Sequence, residues 1–189
     1  PDETVALTVR RLVPRMGLDQ LIRAYALLAA RRPSLRLVVA GSGPLRSELE
    51  RRAAETSARV DFCGFLAPEA LLAHYQAADL FLLPSATLEA FGMVVLESLA
   101  CGTPVLATNC GGPPELLAPL DARLLLADDD PHTIADSVLS SGLTVAAEAG
   151  FRDRCRVHVV ANYPWARTAE EYERLARLAI ARRGREGRS

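Results

Sequence analysis

The residues best placed to do chemistry lie between Pro84 and Val105, where two glutamates, Glu89 and Glu97, flank the aromatic–glycine pair Phe91-Gly92. An apolar run, Leu80 to Pro84, leads into this stretch. A helix is predicted from Phe91-Gly92 to Gly102, where a glycine can take the left-handed C-terminal conformation, and a strand from Pro104 to Ala107 follows. The first amides of a helix have no intrahelical partner and sit at the positive end of its dipole, so an anion fits at Phe91, Gly92, Met93 and Val94. Gly92 removes a side chain where a ligand would approach the backbone. Glu97 lies five residues beyond Gly92, roughly 7.5 Å along the axis at ~1.5 Å per residue. An ionised carboxylate only accepts hydrogen bonds, and its two oxygens suit a vicinal pair of hydroxyls. The order is therefore hydroxyl acceptor, anion site, hydroxyl acceptor. A nucleotide sugar presents hexose hydroxyls, diphosphate and ribose hydroxyls in that order. The competing assignments are a surface charge in a loop for Glu89, an exposed helix position for Glu97, and packing for the side chains of Phe91, Met93 and Val94.

The elements that must position these groups follow from the alternation of apolar runs. Strands are predicted at Val5–Val9, Leu35–Ala40, Val60–Cys63, Leu80–Pro84, Pro104–Ala107 and Arg123–Ala127. Helical periodicity covers Gly17–Arg32, Leu45–Thr56, Pro68–Ala78, the short stretch Pro113–Leu117, a segment opened by Asp130-Pro131, and closing helices at about Val145–Val160 and Pro164–Ile180. Strands alternating with helices at this spacing imply an α/β domain with a doubly wound parallel sheet of about six strands. The nearly continuous apolar character of Leu35–Ala40 fits a sheet buried on both faces. Ligands of such sheets bind beyond the carboxyl ends of the strands, which directs attention to the loops after Val9, Ala40, Cys63, Pro84 and Ala107.

Composition bounds the rest. The chain has 189 residues, 50% hydrophobic and 24% charged, with a net charge of -1, so one sizeable core is expected and no electrostatic case exists for a nucleic-acid partner. Four cysteines at 63, 101, 110 and 155 show no C-x-x-C spacing and read as reduced thiols of a cytoplasmic protein. No apolar run reaches the length of a membrane span. The chain opens at Pro1-Asp2-Glu3, just before a strand, as an excised piece of a longer protein would. A single domain over residues 1–181 and a frayed basic tail over 182–189 are expected.

The run P-S-x-x-x-E-x-F-G, a second glutamate eight residues after the first, A-C-G-T-P-V and G-G-x-x-E together closely resemble the donor-binding, C-terminal half of the retaining glycosyltransferases of family four (group 1), which have the GT-B fold. The similarity runs from about Val5 to Leu178. It implies a Rossmann-like domain, a nucleoside-diphosphate sugar as donor substrate, and hexosyl transfer to an acceptor hydroxyl with retention at the anomeric carbon. It implies no metal and no further cofactor. It also implies an N-terminal acceptor-binding domain of the same protein as partner, through which alone any peripheral membrane association would run.

The resemblance assigns further residues. It places Glu89 against the donor sugar and Glu97 on the ribose diol. In the family pattern G-R-L-x-P-x-K-G an arginine and a lysine meet the diphosphate; here the run is Arg10-Arg11-Leu12-Val13-Pro14-Arg15-Met16-Gly17. Arg11 matches the arginine and joins Glu89 as a candidate catalytic group, while Met16 stands where the lysine would be and Arg10 where the glycine would be. Arg15 or Arg10 either reaches in to replace the lysine or is a solvated surface residue. Gly41, in Gly41-Ser42-Gly43-Pro44, is a donor contact or a plain strand–helix turn; the third glycine of a dinucleotide fingerprint is absent. Gly64-Phe65-Leu66 matches the base-binding loop, or is a turn with Phe65 in the core. Gly111 and Gly112 lend amides to phosphate or sugar, or make a tight turn. Asp128-Asp129-Asp130 contains D-x-D, yet Asp130 precedes Pro131 and is better explained as a helix cap. His74, His132 and His158 have no metal-ligand spacing. Three rivals remain: a glycoside hydrolase using Glu89 and Glu97, a non-catalytic nucleotide-binding module, and half of a nucleotide-sugar epimerase.

Overall fold

A computed structural model describes residues 3–87 and 89–186. Six strands, β1 (Thr4–Val9), β2 (Leu35–Ala40), β3 (Arg59–Gly64), β4 (Leu80–Leu83), β5 (Val105–Thr108) and β6 (Leu125–Leu126), form one parallel sheet in the order β3-β2-β1-β4-β5-β6. This is the expected doubly wound arrangement. The longest pairing joins β1 and β2, from Thr4 opposite Leu35 to Val9 opposite Ala40. β1 meets β4 over only two pairs, Ala6 with Leu80 and Leu7 with Phe81.

Side chains alternate across the sheet and fill two separate cores. On one face Ala6, Leu37, Val39, Leu80, Leu82 and Leu106 pack beneath helix α1 (Leu18–Arg31), which contributes Leu21, Ile22, Tyr25 and Leu28. α2 (Arg46–Ala54) and α6 (Pro131–Ser137) cover the rest of that face. On the other face Leu7, Val38, Phe81, Leu83 and Val105 pack against Tyr75 of α3 (Pro68–Ala77), Val95 and Leu99 of α4 (Met93–Ala100), Leu116 and Leu117 of α5 (Pro113–Leu117), Val145 of α7 (Leu143–Ala147), and Phe151 and Cys155 of α8 (Phe151–Asn162). The last helix, α9 (Trp165–Glu186), lies on the surface: Trp165, Tyr172 and Ile180 are all exposed.

Two segments differ from the sequence expectation. Arg123–Ala127 is a 3-10 turn over Ala122–Leu124 followed by a two-residue strand, because the Asp121 carboxylate accepts from the Arg123 amide and pulls the backbone into a turn. The helix opened by Asp130-Pro131 runs through a π-helical turn at Val138–Gly142 into α7 before Gly150, at φ 78°, starts α8. Of the expected tail at 182–189, residues 187–189 lie outside the described residues, and the backbone is helical to Glu186. No helix among the described residues is long and apolar enough to cross a membrane.

Candidate functional site

The sheet order reverses between β1 and β4, so the loops leaving these strands diverge and open a crevice at the carboxyl edge. Two charged groups meet across it. Arg10, the first residue after β1, sends its Nη2 to Glu89 Oε2 at 2.5 Å and its Nη1 to Ser85 Oγ at 2.8 Å. Ser85 Oγ in turn donates to the same Glu89 oxygen at 3.1 Å. Arg10 is a buried residue, because it continues a central strand covered on both faces. Of the two sequence readings of Arg10, the solvated surface arginine is therefore excluded. Burial lowers the guanidinium pKa from its ordinary value, and the Glu89 charge and hydrogen bond offset that only in part. Arg11 and Arg15 are exposed, on the rim of the same loop.

The start of α4 lies against this pair. Gly92 caps the helix at φ 83°, a conformation that penalises any side chain, and a Cβ there would lie 3.9 Å from Glu89 Cγ and 3.4 Å from Pro113 Cγ. The approach to the first amides of α4 is thus framed by Glu89 on one side and the Gly111-Gly112 turn on another. That turn supports the glutamate loop: the Gly112 amide donates to Glu89 O at 3.0 Å, and a Cβ on Gly111 would stand 1.8 Å from the same carbonyl oxygen. Phe91 and Met93 expose their side chains at the helix start, and Val94 is half-buried against the second core.

Glu97, exposed one turn further along α4, accepts a hydrogen bond from the buried Tyr75 hydroxyl at Oε2, 2.9 Å. Burial, reinforced by the neighbouring Glu97 charge, raises the Tyr75 pKa, so the phenol stays a donor. Both glutamates are therefore held through Oε2, while no hydrogen bond to either Oε1 occurs among the described residues. Tyr75 and Ser85 were not singled out from sequence. Ser85 carried a signal in its Pro-Ser pair beside the strand end, whereas Tyr75 falls on an ordinary core position of its helix and gave none.

The remaining candidates fall around this centre. Gly41 is closed off from a side chain by Arg10 O, 1.8 Å from its would-be Cβ, which makes it a close-packing position between the β1 and β2 loops. Gly64, at φ 72°, accepts from the Gly41 amide at 2.7 Å and ends β3 beside Arg46. Phe65 is 82% exposed, so the alternative that put it in the core is wrong, and Leu66 is half-buried against the second core. Asp130 caps α6, accepting from the amides of His132 at 2.8 Å and Thr133 at 3.4 Å. Among the described residues no group of three or more His, Cys, Asp or Glu side chains could hold a metal ion. A groove of roughly 860 Å³ between α4 and α9, lined by Phe91, Met93, Glu97, Trp165 and Tyr172 among others, takes in Glu97 but neither Glu89 nor Arg10.

The glycosyl transferases group 1 family matches residues 1–141. The chain is 38% identical over 192 residues to a D-inositol 3-phosphate glycosyltransferase of Rhodococcus opacus, covering 95% of this chain and 42% of that protein. It is 35% identical over 161 residues to a GDP-mannose-dependent monoacylated alpha-(1-6)-phosphatidylinositol monomannoside mannosyltransferase of Corynebacterium glutamicum, covering 82% of this chain and 42% of that one. Among solved structures, a sucrose-phosphate synthase from Thermosynechococcus elongatus superimposes with a TM-score of 0.80 at 30% identity, covering 96% of this chain and 47% of the other. The chain thus spans less than half the length of each of these proteins.

Proposed function

Because the chain belongs to the glycosyl transferases group 1, we propose that it is the donor-binding, C-terminal half of a retaining family-four enzyme of the GT-B fold, which transfers a hexosyl group from a nucleoside-diphosphate sugar to an acceptor hydroxyl. One observation carries the assignment. Glu89 packs against the capping Gly92 of α4, 3.9 Å from its Cβ position, and Glu97 follows one turn into the same helix, which supports reading the three as hydroxyl acceptor, anion site and hydroxyl acceptor. The diphosphate lies on the amides of Gly92, Met93 and Val94, with Arg11 and Arg15 at the rim. Glu97 accepts from the ribose diol and Glu89 from a hexose hydroxyl, each through Oε1. As the sugar departs, charge grows on the diphosphate, where fixed helix amides stabilise it without reorganising. Gly64, Phe65 and Leu66 border the base, and Gly111 and Gly112 hold the Glu89 loop in place. No metal enters this scheme. The acceptor is bound by the N-terminal half.

The test is calorimetric titration of the chain with UDP, GDP, ADP and their sugar conjugates, GDP-mannose included because curated relatives are GDP-mannose-dependent. Glu97→Ala is expected to lose about 1–3 kcal/mol of affinity, the worth of a charge-assisted hydrogen bond. Unchanged affinity would remove Glu97 from the site. A second reading, a non-catalytic nucleotide-binding module, draws on the buried Met16 at the position of the expected lysine; it requires equal affinity for a nucleotide and its sugar conjugate.

A further inference from the structure

The two positions at which the sequence departs from the G-R-L-x-P-x-K-G pattern, Arg10 and Met16, touch each other: Arg10 Nε faces Met16 Sδ at 3.1 Å. A thioether is a weak acceptor, so among the described residues the guanidinium has a single anionic partner, Glu89. Arg10, Ser85 and Glu89 close a ring of hydrogen bonds in which one Glu89 oxygen, Oε2, receives both donors. The Arg10 side chain is 4% exposed and that of Glu89 19%. A phosphate cannot reach the guanidinium without displacing the glutamate, whereas the glutamate retains an opening. Glu89 itself sits in a loop outside any helix or strand, where a free side chain would sample several rotamers.

We infer that Arg10 is a positioning residue: with Ser85 it locks Oε2 of Glu89, leaving Oε1 as the single acceptor for the donor's sugar hydroxyl, and it does not itself bind the diphosphate. The inference rests on the donor-site reading above and assigns the missing lysine's place to a different task. Met16 supplies the apolar wall that confines the guanidinium to this one carboxylate.

Wild-type chain, Arg10→Met, Arg10→Lys and Glu89→Ala are titrated with GDP, GDP-mannose, UDP and UDP-glucose, and amide hydrogen exchange over residues 85–92 is followed without nucleotide. Arg10→Met is expected to weaken sugar-conjugate binding at least tenfold while changing affinity for the bare diphosphate less than twofold. Arg10→Lys should recover part of the loss, Arg10→Met should add nothing to Glu89→Ala, and exchange over 85–92 should speed up in Arg10→Met. If Arg10→Met does not fold, Ser85→Ala tests the same lock and should show the same sugar-selective loss, about threefold. Equal weakening of diphosphate and sugar conjugate, or additivity with Glu89→Ala, would overturn the inference and make Arg10 a phosphate ligand. Wild-type protein that bound neither class would instead bring down the donor-site reading, and this inference with it.

Discussion

Tyr25 sits in the first core, 1% exposed, with a hydroxyl that has no hydrogen-bond partner among the described residues. An unsatisfied buried polar group costs about 1–3 kcal/mol, so Tyr25→Phe is expected to raise stability by ~1 kcal/mol. Burial also raises the phenol pKa, and it pushes the Cys155 thiol up to about 12. For both groups the folded state favours the neutral form. Their stabilisation is whole below the unfolded pKa, about 8.5 for a thiol and about 10 for a phenol, and is lost as pH rises towards the folded value. Urea midpoints at pH 7 and pH 10.5 check both effects: Tyr25→Phe should be the more stable at pH 7 and should lose less on going to pH 10.5. A lower midpoint at pH 7 would show that the hydroxyl is satisfied. Tyr75→Phe makes a different prediction, since its hydroxyl does have a partner. Losing the bond to Glu97 should cost about 0.5–1.5 kcal/mol of nucleotide affinity by calorimetry. Glu97 could be read from its spacing to Gly92, because helical rise converts residue number into distance. The partner could not, because Tyr75 and Glu97 are joined only by the packing of α3 against α4.

The elements were legible where periodicity and punctuation agreed. Strand β2 and helix α5 match their predicted limits, and Asp130-Pro131 opened a helix with the expected cap. The region after Pro131 was harder. The π-helical turn ends on a glycine that tertiary contact demands: a Cβ on Gly142 would come within 2.8 Å of Leu80 Cδ2 and 2.9 Å of Leu106 Cδ1, so two residues far away in sequence dictate the glycine. Arg10 was ambiguous for the same kind of reason. A charged residue after a strand is ordinarily solvated, and only the strand's central place in the sheet buries it. The Gly111-Gly112 turn is the element whose role is most directly testable. Gly111 has φ 65° and backbone of the Glu89 loop inside the volume of a Cβ, so Gly111→Ala must move one loop or the other. Nucleotide-sugar affinity should fall at least tenfold in calorimetry, with thermal stability lowered as well. An alanine variant that binds as wild type would separate this turn from the site.

At the scale of the molecule, the groups assigned to the donor gather at the carboxyl edge of one sheet, and the proposed function leaves the acceptor to the N-terminal half. Transfer requires the acceptor hydroxyl to be held within about 3–3.5 Å of the anomeric carbon, and holding two reactants together is worth roughly 7–11 kcal/mol of the barrier. On the proposed reading, a chain that spans less than half the length of its relatives holds only the donor and forgoes that contribution. Water remains as acceptor, but Glu89 is ion-paired with Arg10 and the start of α4 lies between it and Glu97 in the chain, which argues against the two carboxylates flanking one glycosidic bond as a hydrolase requires. The expected outcome is therefore tight coupling to nucleotide without turnover. Incubated with GDP-mannose or UDP-glucose and a panel of hydroxyl acceptors, residues 1–189 should release nucleoside diphosphate at close to the uncatalysed rate, while the same preparation binds nucleotide in a titration. Sugar transfer by this chain alone would mean that both substrates are held on one sheet edge, and would refute the division of labour between two halves.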